Sequence, residues 1–275
     1  TLSSSSAASD VYKRQMDNGA ELIIASGGDL NVDGQAMIGN GPASVGNTIT
    51  VDGGTFNQGN GASKEFYLGS SGGGIMEVTN SGTANVGHFA VGVNDGNGLL
   101  TIDSGTLNVA GAWLIAGYTP ANSTGDITVA GGDLNVVGNL IVGHAGDGSL
   151  TVTGGVVDVT GQLQVGSLSG SVGDVVIDGG TVTVSALVYG GAGTQTLDLN
   201  GGQLIVNGGF NESANSTFNI GSGELIFNGG QALVDVQALV SGPNWNFDGV
   251  ASVTDSGSGI VVTSIAVVAP APDHR

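Results

Sequence analysis

Apolar and polar residues alternate in short runs along most of this chain, and Gly-rich turns separate the runs. Between residues 148 and 170, three runs occupy 149–153, 156–160 and 162–165. Alternation at period two is typical of a β-strand with one buried face, and the Val, Ile and Thr of these runs favour strands. The pattern predicts three short strands per unit, with these residues facing inward: Leu150, Val152, Val157, Val159, Leu163 and Val165.

The middle run of the unit returns nine times, with Gly-Gly-Asp-Leu-Asn-Val at 27–32 as its first copy and looser copies later. Between residues 27 and 201 the copies recur at roughly 25 residues, and a repeat of this size indicates a solenoid, propeller or array. A propeller blade needs four strands and about 40 residues, and a leucine-rich repeat carries a helical segment that these Gly-rich units have no room for. The sequence therefore predicts an all-β fold, a right-handed single-stranded parallel β-helix with three strands per coil and roughly seven to eight coils.

The repeats extend over residues 16–206, and the pattern breaks in residues 207–269. The second region contains much of the aromatic content of the chain: Phe210, Phe218, Phe227, Trp245 and Phe247. The last coil of a rod exposes an apolar cross-section and unpaired strand edges, so we expect degenerate coils and a C-terminal cap here. A docking surface for a following domain is the alternative. Residues 270–275 are expected to form a tail, consistent with truncation of a longer polypeptide.

The first residues differ in character from the repeats. Residues 5–15, Ser-Ser-Ala-Ala-Ser-Asp-Val-Tyr-Lys-Arg-Gln, resemble a translated transposase adaptor of the kind used to prepare DNA sequencing libraries. The resemblance implies that residues 1–15 are an artefact, disordered and outside the fold, and that the natural start of the protein is missing.

Composition and charge restrict the partners of the chain. It contains 53 Gly, 5 Pro and no Cys, and its formal net charge is −19. Such a charge repels nucleic acid and anionic lipid, so no nucleic-acid partner is expected. No run reaches the ~18 consecutive apolar residues of a membrane span. The absence of Cys fits a secreted bacterial protein without disulfides, although many cytosolic proteins also lack Cys.

The most regular polar feature is the Asn of the middle run. If the coils stack in register, one outward ladder would contain Asn31, Asn57, Asn85, Asn108, Asn135 and then Asp158. In the structural interpretation, the amide side chains hydrogen-bond along the stack, as in other cross-β arrangements. In the functional interpretation, the ladder is a flat strip that binds a carbohydrate or an ice-like surface. The structural interpretation is the preferred one.

Acids and histidines are the candidate metal ligands of the chain. Four acids lie beside Gly at turns, which turn chemistry explains without calcium: Asp95, Asp126, Asp147 and Asp174. Three histidines are spread along the chain, at His88, His144 and His274, and His88 and His144 lie more than two repeats apart. A zinc site needs its ligands within one small sphere. We therefore expect no metal site.

Catalytic machinery is not expected either. Many right-handed β-helices are pectin-degrading enzymes, but the fold alone does not imply that activity. Lyases of that type use an Arg or Lys base, and outside residues 1–15 only Lys64 and Arg275 are basic. Hydrolases of that type commonly have adjacent Asp residues, and the chain contains no Asp-Asp pair, P-loop, Gly-x-Ser-x-Gly motif or thiol. The sequence predicts a protein that is not an enzyme, with no catalytic residue and no cofactor.

The repeat phrases carry a family resemblance. Gly-Ser-Leu-Thr-Val-Thr-Gly-Gly (148–155), Gly-Gly-Asp-Leu-Asn-Val (131–136) and Asn-Leu-Ile-Val-Gly (139–143) resemble the Gly-rich repeats of bacterial autotransporter-type passengers. They are equally similar to repeats of secreted proteins with a PEP-CTERM sorting signal. The resemblance spans about residues 20–206 and implies export, a rod-like passenger and a place at the cell surface or in the extracellular matrix. The C-terminal Ala-Pro-Ala-Pro at 269–272 lacks the Glu of a Pro-Glu-Pro signal, and neither a membrane helix nor an Arg cluster follows.

These observations predict a non-catalytic structural or adhesin-like β-helix passenger fragment, extracellular or at the bacterial cell surface. Its expected partners are glycans, other cells or matrix components, and it is expected to be part of a longer polypeptide without a membrane span of its own. The alternative is a carbohydrate-active enzyme or glycan-binding module on the same scaffold. An outward cluster of Asp beside an aromatic platform would favour the alternative, and a rod covered uniformly by Thr and Asn would oppose it.

Overall fold

The computed structural model describes residues 2–3, 13–59, 64–120, 122–190 and 192–266, and within them the chain is nearly all β with one helix. Parallel strands stack coil upon coil into a β-solenoid of about nine turns. The predicted parallel β-helix is therefore confirmed. There are more coils than the seven to eight expected because strands beyond residue 206, such as Ser216–Ile220 and Glu224–Phe227, continue the parallel stack.

The first strand of each coil belongs to one sheet of eleven strands. Its neighbouring strands come from successive coils, and equivalent residues face one another, so Leu100 lies beside Ile127 and Ile127 beside Leu150. In chain order the strands are Leu2–Ser3, Glu21–Ala25, Asn47–Asp52, Gly73–Thr79, Asn97–Ile102, Thr124–Val129, Asp147–Val152, Val172–Ile177, Thr194–Leu199, Ser216–Ile220 and Trp245–Phe247.

The second and third strands of the coils belong to a sheet of 18 strands. The second-position and third-position strands form one sheet because two long strands, Val156–Val165 and Thr181–Tyr189, each continue without interruption from the second position into the third. The other strands in second position are Asp29–Val32, Thr55–Gln58, Thr83–Val86, Thr106–Val109, Asp133–Val136, Gln203–Val206 and Glu224–Phe227. Those in third position are Lys13–Met16, Gln35–Ile38, Glu65–Ser70, His88–Val93, Trp113–Thr119, Asn139–Val142 and Phe210–Asn211.

The core runs along the inside of the rod as stacked aliphatic side chains. Every inward residue predicted for the unit 148–170 is buried, with an exposed fraction of 1% or less: Leu150, Val152, Val157, Val159, Leu163 and Val165. Burial of one such side chain contributes about 1.5–3 kcal/mol. Near the N-terminal end, rings replace the aliphatic groups, and Phe66 stacks on Phe89 with 4.6 Å between centroids. The core is therefore a column whose members repeat from coil to coil.

Close contact between coils requires glycine near the end of two third-position strands, His88–Val93 and Trp113–Thr119. Gly92 and Gly117 have φ of +74° and +67°, a region that L-residues rarely adopt. A Cβ atom on Gly92 would lie 2.0 Å from the carbonyl oxygen of Thr124, and one on Gly117 would lie 2.4 Å from that of Asp147. Thr124 and Asp147 each begin a first-position strand of a later coil, so these glycines allow the coils to stack at strand spacing.

The end of the rod beyond residue 206 is covered by elements of another kind. Trp245 stacks on Phe218 with 4.2 Å between centroids and 9° between planes. The helix Leu233–Val240 buries two of its valines against this region. A hairpin of Val250–Asp255 and Ile260–Ile265 follows, and its second strand pairs antiparallel with Glu224–Phe227. The last second-position strand therefore meets a strand of opposite direction, which cannot start another parallel coil. Residues 267–275, which include the whole of the predicted tail at 270–275, lie outside the described residues.

Two short strands lie within the N-terminal stretch that was expected to be disordered. Leu2–Ser3 pairs with Glu21–Ala25, and Lys13–Met16 pairs with Gln35–Ile38, both in parallel. These strands differ from the expected disorder because their backbone groups find partners on the first coils. Residues 4–12 lie outside the described residues.

Tyr189 allows a test of how a buried hydroxyl without a hydrogen-bond partner affects stability. Its side chain is 3% exposed, and its hydroxyl has no hydrogen-bond partner among the residues that the structure describes. Burial, with a smaller effect of Asp198, raises the pKa of Tyr189 well above its ordinary value. A buried hydroxyl without a partner costs about 1–3 kcal/mol, so we expect Tyr189→Phe to raise the free energy of unfolding by about 1 kcal/mol. Chemical unfolding followed by circular dichroism measures the change.

Tyr189→Leu is the matched control, because it removes the hydroxyl and also the ring that contacts Phe218 at 4.7 Å. We expect this variant to be less stable than wild type by about 1–3 kcal/mol. A destabilised Tyr189→Phe would contradict this interpretation of the hydroxyl.

Candidate functional site: an amide ladder and an aromatic stack

The outer side of the second-position strands contains a continuous chain of amide hydrogen bonds. We call it the amide ladder, formed by Asn31, Asn57, Asn85, Asn108 and Asn135. The Nδ2 of each Asn from Asn57 onward donates to the Oδ1 of the Asn one coil earlier. The donor–acceptor distances are 2.8, 2.8, 2.8 and 2.9 Å in chain order. All the donations therefore run in one direction along the rod.

The local sequence explains why the amides face outward. In Thr106–Val109, Leu107 and Val109 are buried in the core, so strand alternation turns Asn108 to the outside. The same alternation recurs in Thr83–Val86, whose Asn85 lies in register beside Asn108. Parallel strands keep equivalent residues at about 4.8 Å, a separation that an amide-to-amide hydrogen bond spans.

Asp158, the last residue expected in this row, ends the ladder. It lies in register with Asn135, one coil later. Because each coil donates to the coil before it, the residue at position 158 would have to donate to Asn135, and an ionised carboxylate has no hydrogen to donate. Elsewhere in the rod, Asp occupies the accepting end of such chains. Asp198 accepts from Asn219 at 2.5 Å, and Asn219 accepts from Asn246 at 2.9 Å.

A groove of about 530 Å³ lies beside the amide ladder. Its lining residues are Asn31, Val32, Asp33, Asn57, Gly59, Asn85, Val86 and Ala110. Three ladder residues therefore face it, while Asn108 and Asn135 are not among its lining residues. A carboxamide has two N–H groups and two lone pairs, so an inner ladder residue keeps one N–H and one lone pair after its ladder bonds.

The third-position strands carry an aromatic stack outside the core, which sequence reasoning missed. We define it as His88, Trp113, Tyr118 and His144. Successive ring centroids lie 4.8, 5.6 and 5.6 Å apart, with interplanar angles of 15°, 27° and 29°. His88 and Trp113 each begin a third strand, and alignment of the third runs would have paired them. Tyr118 follows Gly117 near the end of its strand, and the run pattern contains no signal for it.

The histidines do not form a metal site with other ligands in the described part of the chain. His88 Nδ1 accepts a hydrogen bond from the backbone N of Ala112 at 3.0 Å. His144 Nδ1 is buried without a hydrogen-bond partner among the described residues, and burial lowers the pKa of His144. Within these residues no group of three or more His, Asp and Glu side chains could hold a metal ion. His274 lies outside them.

Of the four acids that were predicted at turns, Asp95 lies in a turn, whereas Asp126, Asp147 and Asp174 lie in first-position strands, where alternation turns them outward. These acids are separated from one another or used as hydrogen-bond acceptors. Asp126 and Asp174 lie in one column with Ser149 between them, and Ser149 donates to Asp126 at 2.5 Å. Asp95 accepts from Asn122 at 3.3 Å, and Asp147 lies in register between Thr124 and Val172.

Of the basic residues outside 1–15, neither Lys64 nor Arg275 is placed as a base beside these acids by a described contact. Lys64 is exposed, and its backbone carbonyl accepts from the backbone N of His88 at 2.7 Å. Arg275 lies outside the described residues. Within the described residues, no side-chain hydrogen bond joins Lys64 to these acids or to the histidines.

Comparisons with protein-family models, with curated proteins and with solved structures gave no match for this chain. The resemblance to autotransporter-type and PEP-CTERM-type repeats therefore depends on the sequence phrases alone. Among the described residues, no helix has the length and apolar character needed to cross a bilayer.

The end of the amide ladder can be tested by extending it. We expect Asp158→Asn to add a hydrogen bond from the introduced amide to Asn135 Oδ1 and to raise the free energy of unfolding by about 1 kcal/mol. Asp133→Asn removes the same charge on the same sheet, where the register neighbours are Thr106 and Val156 rather than Asn. Chemical unfolding of both variants compares the two effects. Equal stabilisation would mean that charge removal, rather than the ladder, is responsible.

The aromatic stack can be tested through His144, whose Nδ1 atom is buried. The unfolded chain takes up a proton on His144 near pH 6.5, whereas the pKa of the folded residue is lower. The unfolded state therefore binds more protons in this range, and the contribution of His144 is complete above about pH 6.5 and lost as pH falls through the lower, folded pKa. We expect His144→Phe, which keeps a ring on Tyr118, to lose less stability than wild type between pH 7.5 and 5.

Tyr118→Phe, a ring change in the same stack, should keep the wild-type pH slope. Thermal unfolding at both pH values provides the comparison, and identical slopes for His144→Phe and wild type would contradict it.

Proposed function

We propose that this chain is a non-catalytic rod from a secreted or surface-exposed bacterial protein, with a structural or adhesin-like role. The observation that carries the proposal is the use of outward carboxylates as acceptors in hydrogen bonds between coils. Asp178 accepts from Asn200 at 2.9 Å, and Asp198 accepts from Asn219 at 2.5 Å. Carboxylates engaged in this way hold neighbouring coils together. A general acid and base would instead have to meet at one substrate.

The repetitive surface supports the same role. A solenoid presents an extended face whose chemistry repeats with each coil, which suits many weak contacts along a long partner. Its net charge of −19 keeps copies of the rod apart in solution. The sequence phrases resemble those of exported passengers, and this resemblance supports a place outside the cell. Glycans, other cells or matrix components are the proposed partners.

Absence of catalysis has a direct test. The full chain is incubated with neutral and acidic polysaccharides, and released reducing ends and unsaturated sugars are measured. We expect no release above a boiled control. Release that disappears in Asp126→Asn or another single Asp→Asn variant, with folding unchanged, would replace the structural role by an enzymatic one.

Exposure on the cell is tested separately. Intact cells of the source bacterium are treated with protease, and an antibody against this chain follows its loss. We expect the chain to be cleaved while an internal marker protein remains intact. A chain that is protected until the cells are lysed would contradict a surface location, and its absence from the culture medium would also contradict secretion.

A further inference from the structure

The groove beside the amide ladder presents a regular series of donors and acceptors to solvent. We propose that this groove binds a neutral polysaccharide whose chain lies along the rod axis. The proposal deepens the proposed function, since it assigns a ligand class and a site to a rod whose partners were stated only in general terms. The geometry of the ladder, the charge of the chain and the lining of the groove support this assignment.

The ladder supplies hydrogen-bonding groups that suit hydroxyls. Asn57 donates to Asn31 and accepts from Asn85, so each of its two polar atoms is used once within the ladder. One N–H and one lone pair of Asn57 remain, and the same is true of Asn85. A hydroxyl group both donates and accepts, so it can satisfy both remaining groups. The pairs recur at strand spacing, about 4.8 Å, and a polymer with regularly placed hydroxyls can meet several of them at once.

The ladder is also rigid before any ligand binds. Each inner amide is held by two hydrogen bonds of 2.8–2.9 Å, so its remaining N–H and lone pair have fixed directions. Groups held in place lose little side-chain entropy on binding, which reduces the free-energy cost of association. A row of free asparagines would incur that cost at each contact.

The negative charge of the chain favours a neutral polysaccharide over an anionic one. Asp33 is the one ionisable residue among the described residues that line the groove, and the whole chain has a net charge of −19. The net charge would therefore repel an anionic polysaccharide, and nucleic acid would be repelled in the same way. A neutral chain of hydroxyl-bearing sugars meets no such repulsion.

One exposed apolar side chain lies beside the amides. Ala110 lines the groove and is exposed, so it offers a contact to the C–H groups of sugar rings, whereas the side chains of Val32 and Val86 are buried in the core. His88 and Trp113 of the aromatic stack follow Val86 and Ala110 closely in the chain, at the starts of the next strands. The groove thus combines amide groups with apolar contact, as sites for small neutral ligands commonly do.

Affinity electrophoresis of the full chain tests the proposal, with hydroxyethylcellulose as the neutral probe and alginate as the anionic probe. We expect hydroxyethylcellulose in the gel to retard the chain and alginate to leave its mobility unchanged. We expect Asn57→Leu, which replaces a groove amide by an apolar side chain of similar size, to weaken retardation at least tenfold. Absence of retardation by hydroxyethylcellulose, or equal retardation by alginate, would overturn the proposal.

Asn219→Leu is the matched control. Asn219, like Asn57, donates one side-chain hydrogen bond and accepts another between coils, but it lies in the first-position strand Ser216–Ile220, outside the ladder and the groove lining. Both variants therefore lose two hydrogen bonds between coils, and unfolding measurements establish that each is folded. We expect Asn219→Leu to retain retardation within twofold of wild type. Equal loss in the two variants would assign the effect to a general loosening of the coils and overturn the groove as the site.

Failure of this inference can be told apart from failure of the proposed function. A chain that is surface-exposed and inactive as an enzyme but is not retarded by hydroxyethylcellulose loses only the groove assignment. A chain that binds and cleaves the polysaccharide, or that binds it but is protected inside the cell, keeps the groove and loses the non-catalytic surface role.

Discussion

Backbone hydrogen bonds between successive parallel coils determine the arrangement of everything else in this protein. A strand in a coil has no partner within that coil, so its N–H and C=O groups are satisfied only by the equivalent strand one coil earlier and one coil later. The register observed between Asn97–Ile102 and Thr124–Val129 then recurs between Thr124–Val129 and Asp147–Val152. Equivalent residues of successive coils are thereby placed side by side along the rod, in what we call a column. The residue type that recurs most often in a column determines the chemistry of that strip of the rod.

The columns explain how a chain with so few basic residues holds its carboxylates. Several aspartates in outward columns accept a hydrogen bond from the amide or hydroxyl of the next coil, as Asp178 does from Asn200 and Asp126 from Ser149. Such a bond with an ionised acceptor is stronger than one between neutral groups. The hydrogen bond also has a direction, from the later coil to the earlier one. This direction determines at which end of a chain of amides an aspartate can lie. Asp198 can begin a chain of amides, whereas Asp158 can only end one.

Much of the fold could be predicted because residues at the same position of each sequence repeat occupy the same column of the structure. The alternation in 148–170 identified all six inward residues of that unit, and the Asn of the middle run identified the row that forms the ladder. Leu30 shows where repetition is insufficient. It is only half-buried, whereas Val32 of the same strand, Asp29–Val32, and the equivalent Leu134 of a later coil are buried.

Features that depend on three-dimensional direction or on breaks in the pattern were harder to predict. The direction of the ladder, and therefore its end at Asn135, depends on which amide donates, and composition carries no signal for that. The stack of His88 and Trp113 was missed because the histidines were treated as isolated ligands rather than as members of a column. The antiparallel hairpin after residue 249 follows no repeat, so only a cap could be expected there. Groove volume is likewise a property of how neighbouring columns are spaced.

Disulfide cross-linking between columns measures the register most directly, because the natural chain contains no Cys. Thr101 lies in register with Thr128, and Thr128 with Thr151. Cysteines at 101 and 128 should lie one strand spacing apart, about 4.8 Å, within the range that a disulfide spans, whereas cysteines at 101 and 151 should lie about twice as far apart and beyond it. We expect rapid oxidation of Thr101→Cys/Thr128→Cys and no intramolecular disulfide in Thr101→Cys/Thr151→Cys. Cross-linking of the second pair, or failure of the first in a folded chain, would contradict the stacked register on which the ladder and its groove depend.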